Sequence, residues 1–328
     1  MNKNESDYIM TILHLQAELH EKMWGGSALE DFNYKIPSDH TGEAWTIAAH
    51  SNGQSTVING KLAGQGLSRV WQDHPELFGG HGRDEAFSLL VKILDAHENP
   101  SIQVHPNDKQ SHEKFGKTES WYILDAKPGS KIYYGHHAKT RDELKKMVDQ
   151  KEWDKLLRTI PVQKGDFFYV ASGTFHALGA GIIALEIQQS SDTTYRFYDF
   201  DRIDTATKEK RPLQIEEALA VTTVPHVDPT LIQDTTIVDQ TVIERLVVAT
   251  KFTIDKLLVR GPSLFELTHH YELFTVIEGS GFIDADQIKK GDSFIVLSDA
   301  KNYRLDGDMT LIRSFVTPTT TNKDVFVR

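Results

Sequence analysis

The chain contains no cysteine. Disulfides and thiolate metal sites are therefore excluded, and any metal must be held by imidazole, carboxylate or amide groups. The same absence favours a reducing compartment, so a cytoplasmic location is expected. Long apolar runs are missing too, with nothing near the roughly 20 residues needed to cross a bilayer. The opening MNKNESDYIM is acidic and has no apolar core; neither an export signal nor a membrane partner is expected. Positive charge is in deficit: 36 Lys and Arg against 47 Asp and Glu leave a formal net charge of −11. Such a field opposes nonspecific nucleic-acid binding. An anionic small molecule would need its own local basic cluster. The 328 residues exceed what one small core usually organises, which argues for two domains.

What is present reads as short strands punctuated by turns. Trp24-Gly25-Gly26, Asn52-Gly53 and Asn59-Gly60 are turn signals. Leu67–Phe78 carries helical spacing broken at Asp73-His74-Pro75. Phe87–Leu94, FSLLVKIL, reads as a strand with a lone basic residue, Lys92. That ammonium either sits on an exposed face or needs a buried partner. Thr140–Arg158 reads as one helix, with Thr140 and Glu143 as a capping box. A second helix is expected from Pro212 through Ala220, followed by a Pro/Asp/Thr-rich linker. Beyond residue 246, short alternating runs separated by Gly, Asp and Asn indicate a sandwich or barrel.

The densest chemistry lies in Ser101–Leu124, SIQVHPNDKQSHEKFGKTESWYIL. Gln103 and His105 are two apart, as are Lys117 and Glu119, and on a strand such pairs share a face. If the two pairs lie on adjacent strands, an amide, an imidazole and a carboxylate converge. That set suits zinc or a similar divalent ion. The alternative is a surface loop with incidental polar residues, since the chain holds 15 histidines.

The run Gly165-Asp166-Phe167-Phe168-Tyr169-Val170-Ala171-Ser172-Gly173-Thr174-Phe175-His176 resembles the second motif of the cupin barrel, departing from it at Ala171, where proline is frequent. Glu278–Gly281 followed by Lys290-Gly291-Asp292 echoes the same Gly and Gly-Asp pattern, without a closing His. The fold expected from this resemblance is mainly β, two cupin-type β-barrel (jelly-roll) domains with a few inserted helices. Residues 1–240 would form the catalytic domain, with a helical insert near 140–158, and 241–328 a cupin-like domain lacking a metal site.

Further blocks sharpen the resemblance. In order they are Trp24-Gly25-Gly26, Gly42-Glu43-x-Trp45, Leu90–Ala96, Ser101–Asp108 and Gly116-Lys117-Thr118-Glu119. The Gly173…His176 turn follows, then Leu185-Glu186 leading to Asp192 and Arg196. Together they are similar to the type I mannose-6-phosphate isomerases in their shorter bacterial form. The resemblance implies one zinc ion held by Gln103, His105, Glu119 and His176. It implies Arg196 as the active-site arginine, Lys117 near the sugar, and Ser101, Lys92 and Arg202 near the phosphate. Glu186, Lys117 and metal-bound water are all candidates for moving the proton. The implied reaction is aldose–ketose isomerisation of mannose 6-phosphate and fructose 6-phosphate through an enediol-type intermediate. The rivals are another metal cupin enzyme acting on a sugar phosphate, and a non-catalytic sugar-binding cupin. The oligomeric state is not legible in the sequence.

Overall fold

The computed structural model describes residues 10–82, 84–204 and 208–317. The acidic stretch 1–9 and the tail 318–328 lie outside the described residues. The chain folds as two compact units, each drawn from separate stretches of sequence. The central unit takes residues 19–45 and 88–231. Within the described residues, the terminal unit takes 10–18, 46–87 and 232–317. A single division near residue 240 therefore differs from how the chain is grouped. Among the described residues, no helix is long and apolar enough to cross a membrane.

The central unit carries two antiparallel sheets. The six-stranded sheet runs Phe167–Val170, Glu119–Ala126, Ile182–Gln189, Leu89–Ala96, Thr41–Ile47 and Glu18–Gly26. The five-stranded sheet runs Leu157–Pro161, Lys131–His136, His176–Ala177, Ile102–Val104 and Tyr195–Tyr198. Strand alternation explains how the second sheet is used. Ile102, Val104, Phe175, Ala177, Tyr195 and Phe197 pack with Leu144, Met147, Leu156 and Ala218 of the helical segments. The residues between them, Gln103, His176 and Arg196, are thereby turned to the opposite face. On the six-stranded sheet, Leu94, Ala96, Trp121, Ile123, Ile182 and Ala184 pack with Ile132, Tyr134 and Leu178 from the other sheet. Farther along the same strands, at the same parity, stand Lys92, Glu119 and Glu186. One end of the interior is thus an apolar core and the other is charged.

Local differences from the sequence reading have identifiable causes. Helix 140–158 divides into Arg141–Asp149 and Trp153–Leu156, because Lys151 turns left-handed at φ 55°. Thr140 does cap it, accepting from the Glu143 N–H at 3.1 Å, while Glu143 reaches back to the Lys139 N–H. The later helix is Ile215–Val221, so Pro212 precedes it rather than opening it. Trp24-Gly25-Gly26 ends a strand instead of forming a turn. A Cβ on Gly25 would lie 2.4 Å from the Gly42 main-chain nitrogen, so close strand approach demands glycine there.

The terminal unit is built on a ten-stranded sheet around the long strands Glu272–Ile283 and Asn302–Val316. The segment expected as a linker contributes Asp234–Val238 and Thr241–Val248 to it. Glu278–Gly281 lies inside one strand, at a register shift, instead of separating two. The Gly-Asp echo is real at atomic detail. Gly165 N–H bonds to the Ile123 carbonyl, and Ile123 N–H to the Asp166 carbonyl. Gly291, Val276 and Asp292 repeat both bonds, and both glycines have φ 96°. The Asp166 and Asp292 carboxylates each accept from the main chain three residues back, at 2.9 Å.

This correspondence fixes a register between the repeats, in which Ile123 matches Val276 and hence Glu119 matches Glu272. Glu186 lies opposite Trp121 and Lys92; Arg313 lies opposite Phe274 and Asp255. Arg313 therefore takes the place of Glu186, and Asp255 that of Lys92, with the charges reversed. Arg313 joins Glu272 at 3.3 Å to Asp255 at 2.7 Å, and both carboxylates are fully buried. Tyr303 and His269 complete the shell around Glu272 at 2.8 and 2.9 Å.

Candidate active site

The charged end of the central unit gathers side chains from both sheets. Gln103 pairs in register with His176 on one side and with Arg196 on the other. His105 follows directly after that strand, and Glu119 opens a strand of the opposing sheet. The two pairs Gln103/His105 and Lys117/Glu119 thus do not lie on adjacent strands. They meet because the two sheets face each other, and His176 supplies the third donor.

The donors converge tightly. His105 Nε2 and His176 Nε2 are 3.2 Å apart, and they lie 3.3 and 3.2 Å from the two oxygens of Glu119. Each Nδ1 faces a main-chain carbonyl, Thr193 O at 2.9 Å for His105 and Thr174 O at 2.8 Å for His176. A carbonyl only accepts, so each Nδ1 carries the hydrogen and each Nε2 presents a lone pair to the centre. Both Glu119 oxygens are buried without a hydrogen-bond partner. Burial, then the charge of Lys117, pushes the His105 imidazole down to about 3, so it is neutral at pH 7. Burial would raise the Glu119 carboxyl, but Lys117 ahead of the histidines holds it well below the usual range. The Lys117 ammonium reaches one edge of this cluster, at His105 Nε2 and Glu119, while the two Nε2 atoms and the second carboxylate oxygen still converge on one point that suits a cation. Bonds of ~2.0–2.1 Å to one tetrahedral ion place ligand atoms about 3.3 Å apart, which these separations match. His105, Glu119 and His176 can therefore hold a metal.

Beside them opens a cavity of about 150 Å³ lined by Ser101, Gln103, Lys117, Glu186, Arg196 and Arg211 among others. Lys117 Nζ stands 3.1 Å from Glu119 and 3.2 Å from His105 Nε2. Burial alone would lower its pKa, yet the Glu119 and Glu186 charges raise it above the ordinary lysine value. Glu186 moves the other way: burial and then Glu119 push its carboxyl up, although Lys117 and Lys92 oppose this. Trp121 Nε1 donates to Glu186 at 3.0 Å, and Lys92 lies 3.6 Å away. Lys92 is thus buried with a partner, not exposed. It also meets Glu43 at 3.9 Å and lies over the Trp45 ring.

Of the residues named from sequence, Lys92, Ser101, Gln103, Lys117, Glu186 and Arg196 line this cavity. Arg202 does not. It borders a separate surface hollow with Glu98 and Phe200, and its guanidinium bonds to Asp199. Glu43 and Arg211 were missed. The former sits inside the Gly42-Glu43-x-Trp45 block; the latter lies in a charged turn with no motif of its own. A larger hollow of about 690 Å³ in the terminal unit, between Ile12, Leu62, Leu77 and Ala285, contains no comparable convergence among the described residues.

Comparison with known proteins agrees with this geometry. Residues 12–133 match the catalytic domain of type I phosphomannose isomerase, and residues 242–316 match the cupin domain of mannose-6-phosphate isomerase. A mannose-6-phosphate isomerase of Streptococcus mutans is 43% identical over 317 residues, covering 92% of this chain and 97% of the relative. Mannose-6-phosphate isomerase ManA of Bacillus subtilis is 44% identical, covering 88% and 93%. The crystal structure of the Bacillus subtilis mannose 6-phosphate isomerase is similar at a TM-score of 0.90 and 41% identity, covering 93% of this chain and all of that one. The mainly β architecture and the cupin unit expected from the sequence are thus found, and the chain belongs to the type I phosphomannose isomerase family.

Proposed function

We propose that the chain interconverts mannose 6-phosphate and fructose 6-phosphate, moving a proton between C1 and C2 beside a divalent ion. The observation that carries this is the buried His105–Glu119–His176 cluster, whose Nε2 atoms and carboxylate converge on one point beside a cavity lined by Lys92, Lys117, Arg196 and Arg211 among others. Gln103 is the fourth ligand in this reading. It lies beside His176 in register, and its amide makes no side-chain hydrogen bond among the described residues. One carboxylate among neutral donors suits zinc, which would polarise the sugar oxygens at C1 and C2 and stabilise the enediolate charge.

Glu186 is the proton carrier. Its raised pKa suits a group that must both accept and return a proton. Support for Glu186 over Lys117 comes from charge, because Lys117 is held protonated by its carboxylate neighbours. Lys117 instead presents a fixed ammonium to the sugar oxygens. Arg196 adds a guanidinium with no side-chain hydrogen bond among the described residues, free to meet oxyanion charge. Lys92 and Trp121 orient Glu186 from either side.

The test is turnover of mannose 6-phosphate by the purified chain before and after metal removal, then with zinc returned. Activity that is lost and regained supports the reading. No turnover in the zinc-loaded protein, or full turnover after verified removal, sinks it.

A further inference from the structure

We propose that Arg211 is the phosphate anchor of the substrate, held in place by Asp199, and that Arg202 is a brace for Asp199 and not itself a phosphate ligand. This rests on the isomerase reading above. A hexose 6-phosphate is a bipolar guest: its reacting carbons are at one end and a dianion is at the other. The histidine and Glu119 donors fit the first end, so the cavity must hold surplus positive charge elsewhere.

The lysines do not supply that surplus. Lys22 meets Glu43 at 3.4 Å, Lys92 is shared by Glu43 and Glu186, and Lys117 is paired with Glu119. The arginine wall differs. Arg211 donates through Nε and Nη2 to the two oxygens of Asp199, at 2.8 and 2.6 Å. This fork fixes the plane of its guanidinium and leaves Nη1 uncommitted among the described residues. Asp199 is held from its other side by Arg202 Nη2 at 2.5 Å. One carboxylate thus serves two guanidinium groups. Arg196 adds a third, lining the same cavity as Arg211, with its buried Nε unpartnered. Burial, and next the like charge of Arg211, lowers the Arg196 pKa although Asp199 and Asp192 oppose this, so the two guanidinium groups are near neighbours. Ser101 lines the cavity as well and offers a hydroxyl donor. One guanidinium fixed by its fork to Asp199, with a hydroxyl lining the same cavity, suits a phosphate monoester.

The experiment uses the metal-loaded full chain with Arg211→Ala, Arg211→Lys and Asp199→Asn. Steady-state kinetics on mannose 6-phosphate are combined with binding of inorganic phosphate by calorimetry. Arg211→Ala is expected to raise KM about 10- to 100-fold with kcat changed far less, and to weaken phosphate binding in parallel. Asp199→Asn should raise KM in the same direction by releasing the fork. Arg211→Lys should recover part of the loss, and metal content and melting temperature should stay at the parent values. KM and phosphate affinity within twofold of the parent in Arg211→Ala overturn the inference. So does a fall in kcat with both constants unchanged. Phosphate binding is read without turnover: if the parent binds phosphate through Arg211 but does not isomerise the sugar, the anchor stands and the isomerase reading falls.

Discussion

The Nε2 atoms of His105 and His176 face each other at 3.2 Å while both Nδ1 atoms are turned to main-chain carbonyls. Each imidazole is thereby committed to one tautomer before any ion arrives. His176→Ala removes one of the three clustered donors and should reduce bound metal from about one equivalent to well below one, with activity lost in proportion. Elemental analysis beside the isomerase assay checks this. Metal retained at full occupancy would place the ligands elsewhere.

Glu186 lies between Lys92 and Trp121 in register, within reach of both. Glu186→Gln keeps the shape and the Trp121 contact but cannot carry a proton. Turnover should fall about 10²- to 10⁴-fold with metal content unchanged. Loss of metal alongside activity would show that Glu186 supports the ligands instead.

Glu43 gives a pH dependence whose sign follows from its surroundings. Burial would raise its carboxyl, but Lys92, Lys22 and the Trp45 N–H outweigh burial and hold it at about 2. A carboxyl depressed on folding stabilises the protein above its unfolded pKa, and that stability is lost as pH falls through the folded value. The difference from 4.5 corresponds to about 3 kcal/mol. Denaturant unfolding should therefore separate parent from Glu43→Gln most clearly above pH 5, with the gap closing toward pH 2. A gap that widens on acidification would contradict the ion-pair account.

Lys151 holds a left-handed conformation between two helices. Glycine tolerates that region without a Cβ penalty, so Lys151→Gly should stabilise the chain by up to about 1 kcal/mol in thermal or urea unfolding. This single residue is also why a helix continuous in its apolar spacing is broken in the fold. Periodicity reports which face is buried, and Leu144, Met147, Val148 and Leu156 are all buried. It does not report a local turn that side-chain spacing survives.

The candidate metal donors were legible for a related reason. Gln103, His105, Glu119 and His176 lie at strand ends and turns whose sequences are constrained over several residues. Arg211 reaches the site through a bidentate bond to Asp199, which leaves no local pattern, whereas Glu43 lies in the Gly42-Glu43-x-Trp45 block, where the acid had no assigned role. Arg202 lies outside this cavity beside Asp199, a placement that a basic residue after Arg196 does not reveal in sequence. The strand Asp234–Val238 was hidden by its polar residues, and it is largely exposed.

In the terminal unit, Arg313→Met would leave Glu272 and Asp255 as buried charges with a shared partner gone. Stability should fall by about 3–5 kcal/mol. Adding Glu272→Gln and Asp255→Asn should restore most of it, measured by denaturant unfolding. A negligible loss in the single variant would mean that water or other cations replace the guanidinium easily.

That arginine has a consequence for how the molecule meets scarcity. The two repeats answer the same problem, a buried acidic side chain on equivalent strands, in different ways. Around Glu119 the answer is Lys117 together with a cluster that can hold an ion from the surroundings. Around Glu272 the answer is a cation tethered to the backbone, immune to chelators and dilution. Withdrawing metal from the medium would leave Glu119 with the Lys117 ammonium as its nearest cation, at 3.1 Å, and would not touch the Arg313 network.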